Sequence, residues 1–185
     1  GHSLAPQYGP EPWTLYKGAH LLSFVDNHDV TRIASKLRDP AHLPLIYALL
    51  FGMPGTPALY YGSEWGISGE KAPCSDAGLR PALEKPEWNA LTSWIARLAA
   101  ARRGSPALRE GSYRNVLLTN LQLIFERRTE TERVLVAVNA DSQPYTAHFD
   151  AGCGLAWDLI SGQQHDFGGG SQLPPYSAFF WKMER

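Results

Sequence analysis

Two short apolar runs, His20–Val25 and Pro57–Tyr61, flank a longer one, Ala41–Phe51, in which apolar residues occupy nearly every helical face. The short runs are strand-like and the long one predicts a buried helix. Strand, helix, strand is the order of a parallel crossover, because a helix returns the chain to the same end of the sheet. Asp39 and Pro40 mark the expected start of the helix and Gly52 its end, while Gly55 and Gly62 bound the second strand. A helix apolar on all sides faces water in an isolated crossover, and two parallel strands expose backbone groups along both edges. A chain with this feature needs further cover.

The first strand ends in Phe24-Val25-Asp26-Asn27-His28-Asp29, where carboxylates and an imidazole follow the apolar run directly. Barrels and open α/β sheets place their chemistry at the carboxyl ends of such strands. The residue types equally suit an Asx-type turn, since Asp, Asn and His all favour turns and caps. Residues 65–84 are rich in Gly, Ser and Pro without a sustained period, which predicts a long loop at the same end of the sheet.

Trp88, Leu91, Trp94, Ile95, Leu98 and Ala99 recur at helical spacing. Pro86 is expected in the first turn, Arg102 and Arg103 in the last, and Gly104 as the stop, with the tryptophans as core anchors. From about residue 112 the period changes. Short runs at 116–118, 121–125, 134–138, 146–149, 155–160 and 178–181, separated by turn signals, predict many antiparallel strands in a small sandwich or Greek-key domain. The chain thus divides into an extended, Pro-containing approach segment at 1–19, an α/β part at 20–111 and an all-β part at 112–185. Gly1-His2-Ser3 reads as a processing or tag remnant, so a missing leader leaves localisation open.

With 185 residues, a net charge of -1 and 19% charged residues, the chain shows no basic excess that would point to nucleic acid. Its longest apolar stretch, Leu43–Met53, is too short to span a bilayer, so no membrane partner is expected. Cys74 and Cys153 lie far apart with no metal-type spacing and are expected to be unpaired thiols.

Phe24–Arg32 resembles the block at the seventh barrel strand of the α-amylase family of glycoside hydrolases, family 13, and Gly52–Glu64 resembles that family's block at the eighth. Ser105–Gly111 is similar to the family's exit from its last barrel helix. The resemblance runs from about Pro12 to the carboxyl end. It implies the last two strand–helix units of a (β/α)8 TIM barrel followed by an antiparallel Greek-key β-sandwich. It further implies a retaining enzyme acting on α-glucans or maltooligosaccharides, by hydrolysis or transfer.

Carried onto this sequence, the resemblance makes Asp29 the third, transition-state-stabilising carboxylate and Asp26 a support for the motif. His28, Asn27 and Arg32 become substrate-binding, with Arg32 steadying Asp29, reaching the neighbouring sugar or forming a structural ion pair. The family's nucleophile block and general-acid glutamate have no match here, and Glu64 occupies a position the family does not use as its acid. The expectation is therefore a carboxyl-terminal fragment that is inactive alone and requires the rest of the barrel or a second copy of the chain. No cofactor is expected in this chain; calcium belongs to the family, but no oxygen-rich cluster here demands it. The alternative is a non-catalytic carbohydrate-binding or assembly module gripping polysaccharide through Trp157, Tyr176 and Trp181.

Overall fold

In the computed structural model, which describes residues 5–16, 18–152 and 154–184, Leu22 and Ser23 pair in parallel with Thr56 and Pro57. The elements in chain order are α1 (Ala5–Tyr8), β1 (Leu22–Ser23), α2 (Ile33–Lys36), α3 (Leu43–Gly52), β2 (Thr56–Pro57), α4 (Ala90–Gly104) and α5 (Pro106–Glu110). Eight strands follow: β3 (Ser112–Leu118), β4 (Gln122–Arg128), β5 (Arg133–Asn139), β6 (Tyr145–Ala147), β7 (Leu155–Asp158), β8 (Gln164–Asp166), β9 (Ser171–Leu173) and β10 (Ser177–Met183). The described residues form no closed barrel. An antiparallel sheet of order β3-β4-β5-β10-β7-β8 dominates, with β6 and β9 paired in a smaller one.

The middle of the large sheet is buried on both faces. Phe125, Val134, Val136 and Phe180 pack with Leu45, Leu50 and Phe51 of α3 and with Ile95 and Leu98 of α4. On the opposite face Ile124, Leu135 and Trp181 meet Ala147 of β6 and Leu173 of β9. Strands β4 and β5 are enclosed on both sides, which is why they read as continuous apolar runs rather than alternating ones. The expectation of a water-facing α3 is corrected on the same ground: the sheet and α4 cover it. A Cβ on Gly52 would stand 2.9 Å from a Val136 methyl and 3.2 Å from Phe125 Cζ, so only glycine permits this approach.

Burying the end of α3 leaves its last carbonyls without water, and two arginines take water's place. Arg102 donates from Nη1 to the carbonyls of Phe51 (2.7 Å) and Met53 (2.9 Å), and from Nη2 to that of Gly55. Arg127, 1% exposed, donates to the carbonyls of Gly52 (2.7 Å) and Gly111 (2.8 Å). Positive charge also suits the negative end of the helix dipole. Burial, and to a lesser degree repulsion from Arg102, lowers the Arg127 pKa to about 9, which still leaves it charged at neutral pH. At the other end of the helix, Asp39 accepts from the Ala41 N–H (2.9 Å) and from the Tyr176 hydroxyl (2.7 Å), tying the helix start to the sheet.

Other sequence expectations shift. Residues 5–8 form a helical turn, not an extended stretch. Helix α4 begins after Pro86, at an Asn89–Thr92 capping box, and runs through Gly104; Ser105 then caps α5. Trp94 packs on the core and donates to the Pro44 carbonyl at 2.9 Å, but Trp88 is 75% exposed, donates to Ser93 Oγ at 2.8 Å and is no core anchor. Strands β8 and β9 are short and polar and gave no apolar signal. Cys74 is a free, exposed thiol, and Cys153 lies outside the described residues.

Removing Arg127 should unfasten the sheet from α3. Arg127→Met is expected to cost about 3 kcal/mol, since each buried carbonyl left without a donor costs about 1–3 kcal/mol; urea unfolding measures it, and a loss below about 0.5 kcal/mol would contradict the capping role. A second expectation concerns His165, which stacks on Trp181 at 4.2 Å and contacts Ser171 Oγ at 2.9 Å. Burial lowers its pKa below 6.5, outweighing Asp166 and Asp158. Its stability contribution is therefore complete above pH 6.5 and lost on acidification, because the unfolded imidazole takes up a proton first. The urea midpoint should fall as the pH drops below about 6.5, and His165→Gln should flatten that slope.

Candidate active site

Beyond Ser23 the chain splits its polar residues between inside and outside. Asp26, 2% exposed, accepts from Ser63 Oγ (2.8 Å and 3.0 Å) and from the Ile33 N–H (2.9 Å). Asn27 Oδ1 accepts from the Asp29 N–H at 2.8 Å, an Asx turn that swings the next two side chains outward. His28 Nε2 lies 3.1 Å from Asp29 Oδ2, with both side chains more than half exposed. The turn and the site are thus one structure: the turn presents the carboxylate.

Loop 65–84 folds back over this point. Arg80 Nη2 lies 3.4 Å from Asp29 Oδ1 and 3.2 Å from Asp76 Oδ2, and its Nε 3.4 Å from the His28 carbonyl oxygen. Lys71 Nζ holds Asp76 at 2.9 Å, and chiefly through that hydrogen bond keeps the Asp76 carboxyl below its ordinary pKa. Asp76 is therefore an ionised acceptor, the wrong state for protonating a leaving group. Arg80, Asp76 and Lys71 were not singled out by sequence reasoning, because a loop without a period gives no register from which to foresee the contact.

The structure corrects the expectation that Arg32 binds substrate or pairs with Asp29. Its side chain is 0% exposed. Nη1 donates to the Tyr61 carbonyl (2.7 Å) and Ser63 Oγ (3.0 Å), and Nη2 to the Leu79 carbonyl (2.8 Å), while its backbone N–H reaches the Gly69 carbonyl (2.8 Å). The guanidinium also lies 4.2 Å from the Tyr60 ring centroid. Arg32 is the post on which the segment after β2 and loop 65–84 are hung. The loop needs glycine at its crossing, where a Cβ on Gly69 would stand 2.3 Å from the Gly78 carbonyl oxygen. Glu64 is half-buried, with Oε2 shielded from solvent. Among the described residues no group of three or more His, Cys, Asp or Glu is placed to hold a metal ion.

An exposed carboxylate between an imidazole and a guanidinium, at the carboxyl end of a parallel pair, can accept two strong hydrogen bonds from a polyhydroxylated ligand. Fold and site together define an α/β polypeptide with an exposed polar cluster at its strand ends, backed by an antiparallel sheet. Residues 13–133 match the family model for the α-amylase catalytic domain, and the chain belongs to the α-amylase family of glycoside hydrolases.

It is 30% identical over 152 residues to a cyclomaltodextrin glucanotransferase of Bacillus sp. (strain 38-2), covering 80% of this chain and 20% of that protein. The chain spans only 16% to 20% of the length of the curated relatives it matches. Among solved structures, a protein from Thermus thermophilus is 31% identical with a TM-score of 0.77, over 98% of this chain and 39% of that one. The α-amylase of Geobacillus thermoleovorans complexed with acarbose shares the fold at a TM-score of 0.79 and 21% identity, over 90% and 39% of the two chains.

Arg32→Met is expected to lower stability by about 3 kcal/mol by orphaning two buried carbonyls and Ser63, and to raise hydrogen exchange in loop 65–84 above that in β4 and β5. Unchanged loop protection would refute the post.

Proposed function

We propose that this chain supplies the last two strand–helix units of a (β/α)8 barrel, with a Greek-key β-sandwich behind them, to a retaining enzyme that hydrolyses or transfers α-glucans. The observation that carries this reading is the exposed Asp29, presented by an Asx turn at the end of β1 beside His28 and Arg80. Asp29 accepts hydroxyl hydrogen bonds from the sugar at the reacting position, and His28 donates to the same ring. Such bonds strengthen as the ring distorts toward an oxocarbenium-like transition state. Asn27 shapes the turn, and Arg32 supports it from below.

The two carboxyl groups that cleave a glycosidic bond, nucleophile and general acid, come from strands outside this chain. Hydrophobic exposure around the parallel pair supports a missing neighbour: Leu22 is 66% exposed, Phe24 49%, Leu59 41% and Tyr61 43%. The rest of a barrel, or a second copy, would cover them. The glucan assignment draws on the relatives, which include cyclomaltodextrin glucanotransferases and an α-amylase complexed with acarbose.

The chain alone should release no product from maltooligosaccharides. In an enzyme carrying the whole barrel, Asp29→Asn should reduce kcat by about 10²–10³, the scale of one preorganised electrostatic contact. Hydrolysis by the isolated chain, or full activity of the variant, would overturn this assignment.

A further inference from the structure

We propose that the large sheet carries a second glucan-binding site, in an open groove where the β4–β5 turn, residues 150–152 and the end of β10 converge. The ligand class rests on the function proposed above, while the location rests on geometry that shares no residue with the Asp29 cluster.

The groove encloses about 1000 Å³. That is the upper end of the roughly 300–1,000 Å³ usual for small-molecule clefts. One wall is Trp157, 47% exposed. Its indole Nε1 donates to Glu184 Oε1 at 2.8 Å, and Gln164 Nε2 lies 3.3 Å from the same oxygen. The ring is thus held by polar neighbours before any ligand arrives, which reduces the ordering cost of binding. An indole face carries negative potential and suits the C–H face of a pyranose.

Charge decides between ligand classes. The basic side chains of the groove, Arg114, Arg128, Arg133 and Lys182, are matched in number by carboxylates along the same walls. Lys182 Nζ lies 2.7 Å from Glu132 Oε2, and Glu126 lies between Arg114 and Arg133. A polyanion would have to displace these partners, whereas a neutral polyol finds both donors and acceptors beside an aromatic wall. Trp181 cannot share the role expected of it alongside Trp157, since it is 1% exposed and stacked on His165.

The test is affinity electrophoresis of the chain through gels containing soluble starch, with maltoheptaose as soluble competitor and far-UV circular dichroism confirming the fold. Starch should retard the chain, and Asp29→Ala should still be retarded through the groove. Trp157→Ala should weaken binding by about tenfold, the scale of one aromatic contact, and Trp157→Phe by less. Retardation of Trp157→Ala equal to the unaltered chain, no retardation of the unaltered chain, or stronger competition by dextran sulfate than by maltoheptaose would each overturn the groove. Loss of binding in Asp29→Ala alone would do the same while leaving the proposed function intact. Retention by the groove together with full activity of an Asp29→Asn whole enzyme would instead remove the proposed function and leave the groove standing.

Discussion

The carboxyl end of α3 is sealed inside protein, and the structure depends on how its carbonyls are answered. A helix that ends in water leaves its last carbonyls to the solvent; this one ends against Val136 and Phe125, packed too closely for solvent to enter. Arg102 arrives from α4 and Arg127 from β4, so two elements distant in sequence converge on the same few oxygens. Among the described residues, neither guanidinium pairs with a carboxylate at that point. Their compensation is a set of carbonyl dipoles and the helix dipole, which keeps both cations in place despite burial.

The site inherits its shape from the same economy of buried polar groups. Asp26 turns inward and is satisfied by Ser63 and the Ile33 N–H, which fixes the direction from which the chain leaves β1. Ser63 is held in turn by Arg32, and Arg32 holds the Tyr61 and Leu79 carbonyls. A buried network therefore lies beneath an exposed one, and Asn27 marks the change between them. Asp29 is accessible because Asp26 is not.

Much of this was legible in the sequence, and the failures have physical causes. The parallel crossover, the loop after β2 and most of the later strands followed from runs, periods and turn residues. The Asp29 and His28 positions stood out because polar groups end an apolar strand and the surrounding block resembles a family. Arg32 was misjudged because sequence carries no sign of burial for a side chain long enough either to reach solvent or to turn under its own loop. Trp88 and Trp181 were misjudged for the converse reason: a tryptophan just ahead of a helix start, or inside a central strand, has its exposure set by neighbours far away in sequence. Arg80 was invisible since its partners at the strand end lie about fifty residues earlier, across a loop with no register.

The contact at Gly52 also bears on how such chains diverge. A helix and a sheet that meet without a side chain between them cannot be exchanged separately among relatives. Any new sheet must bring its own hollow opposite residue 52 and its own cation for the carbonyl there. Recombination would thus be expected to succeed with crossover points outside the span from α3 to β5, and to fail within it.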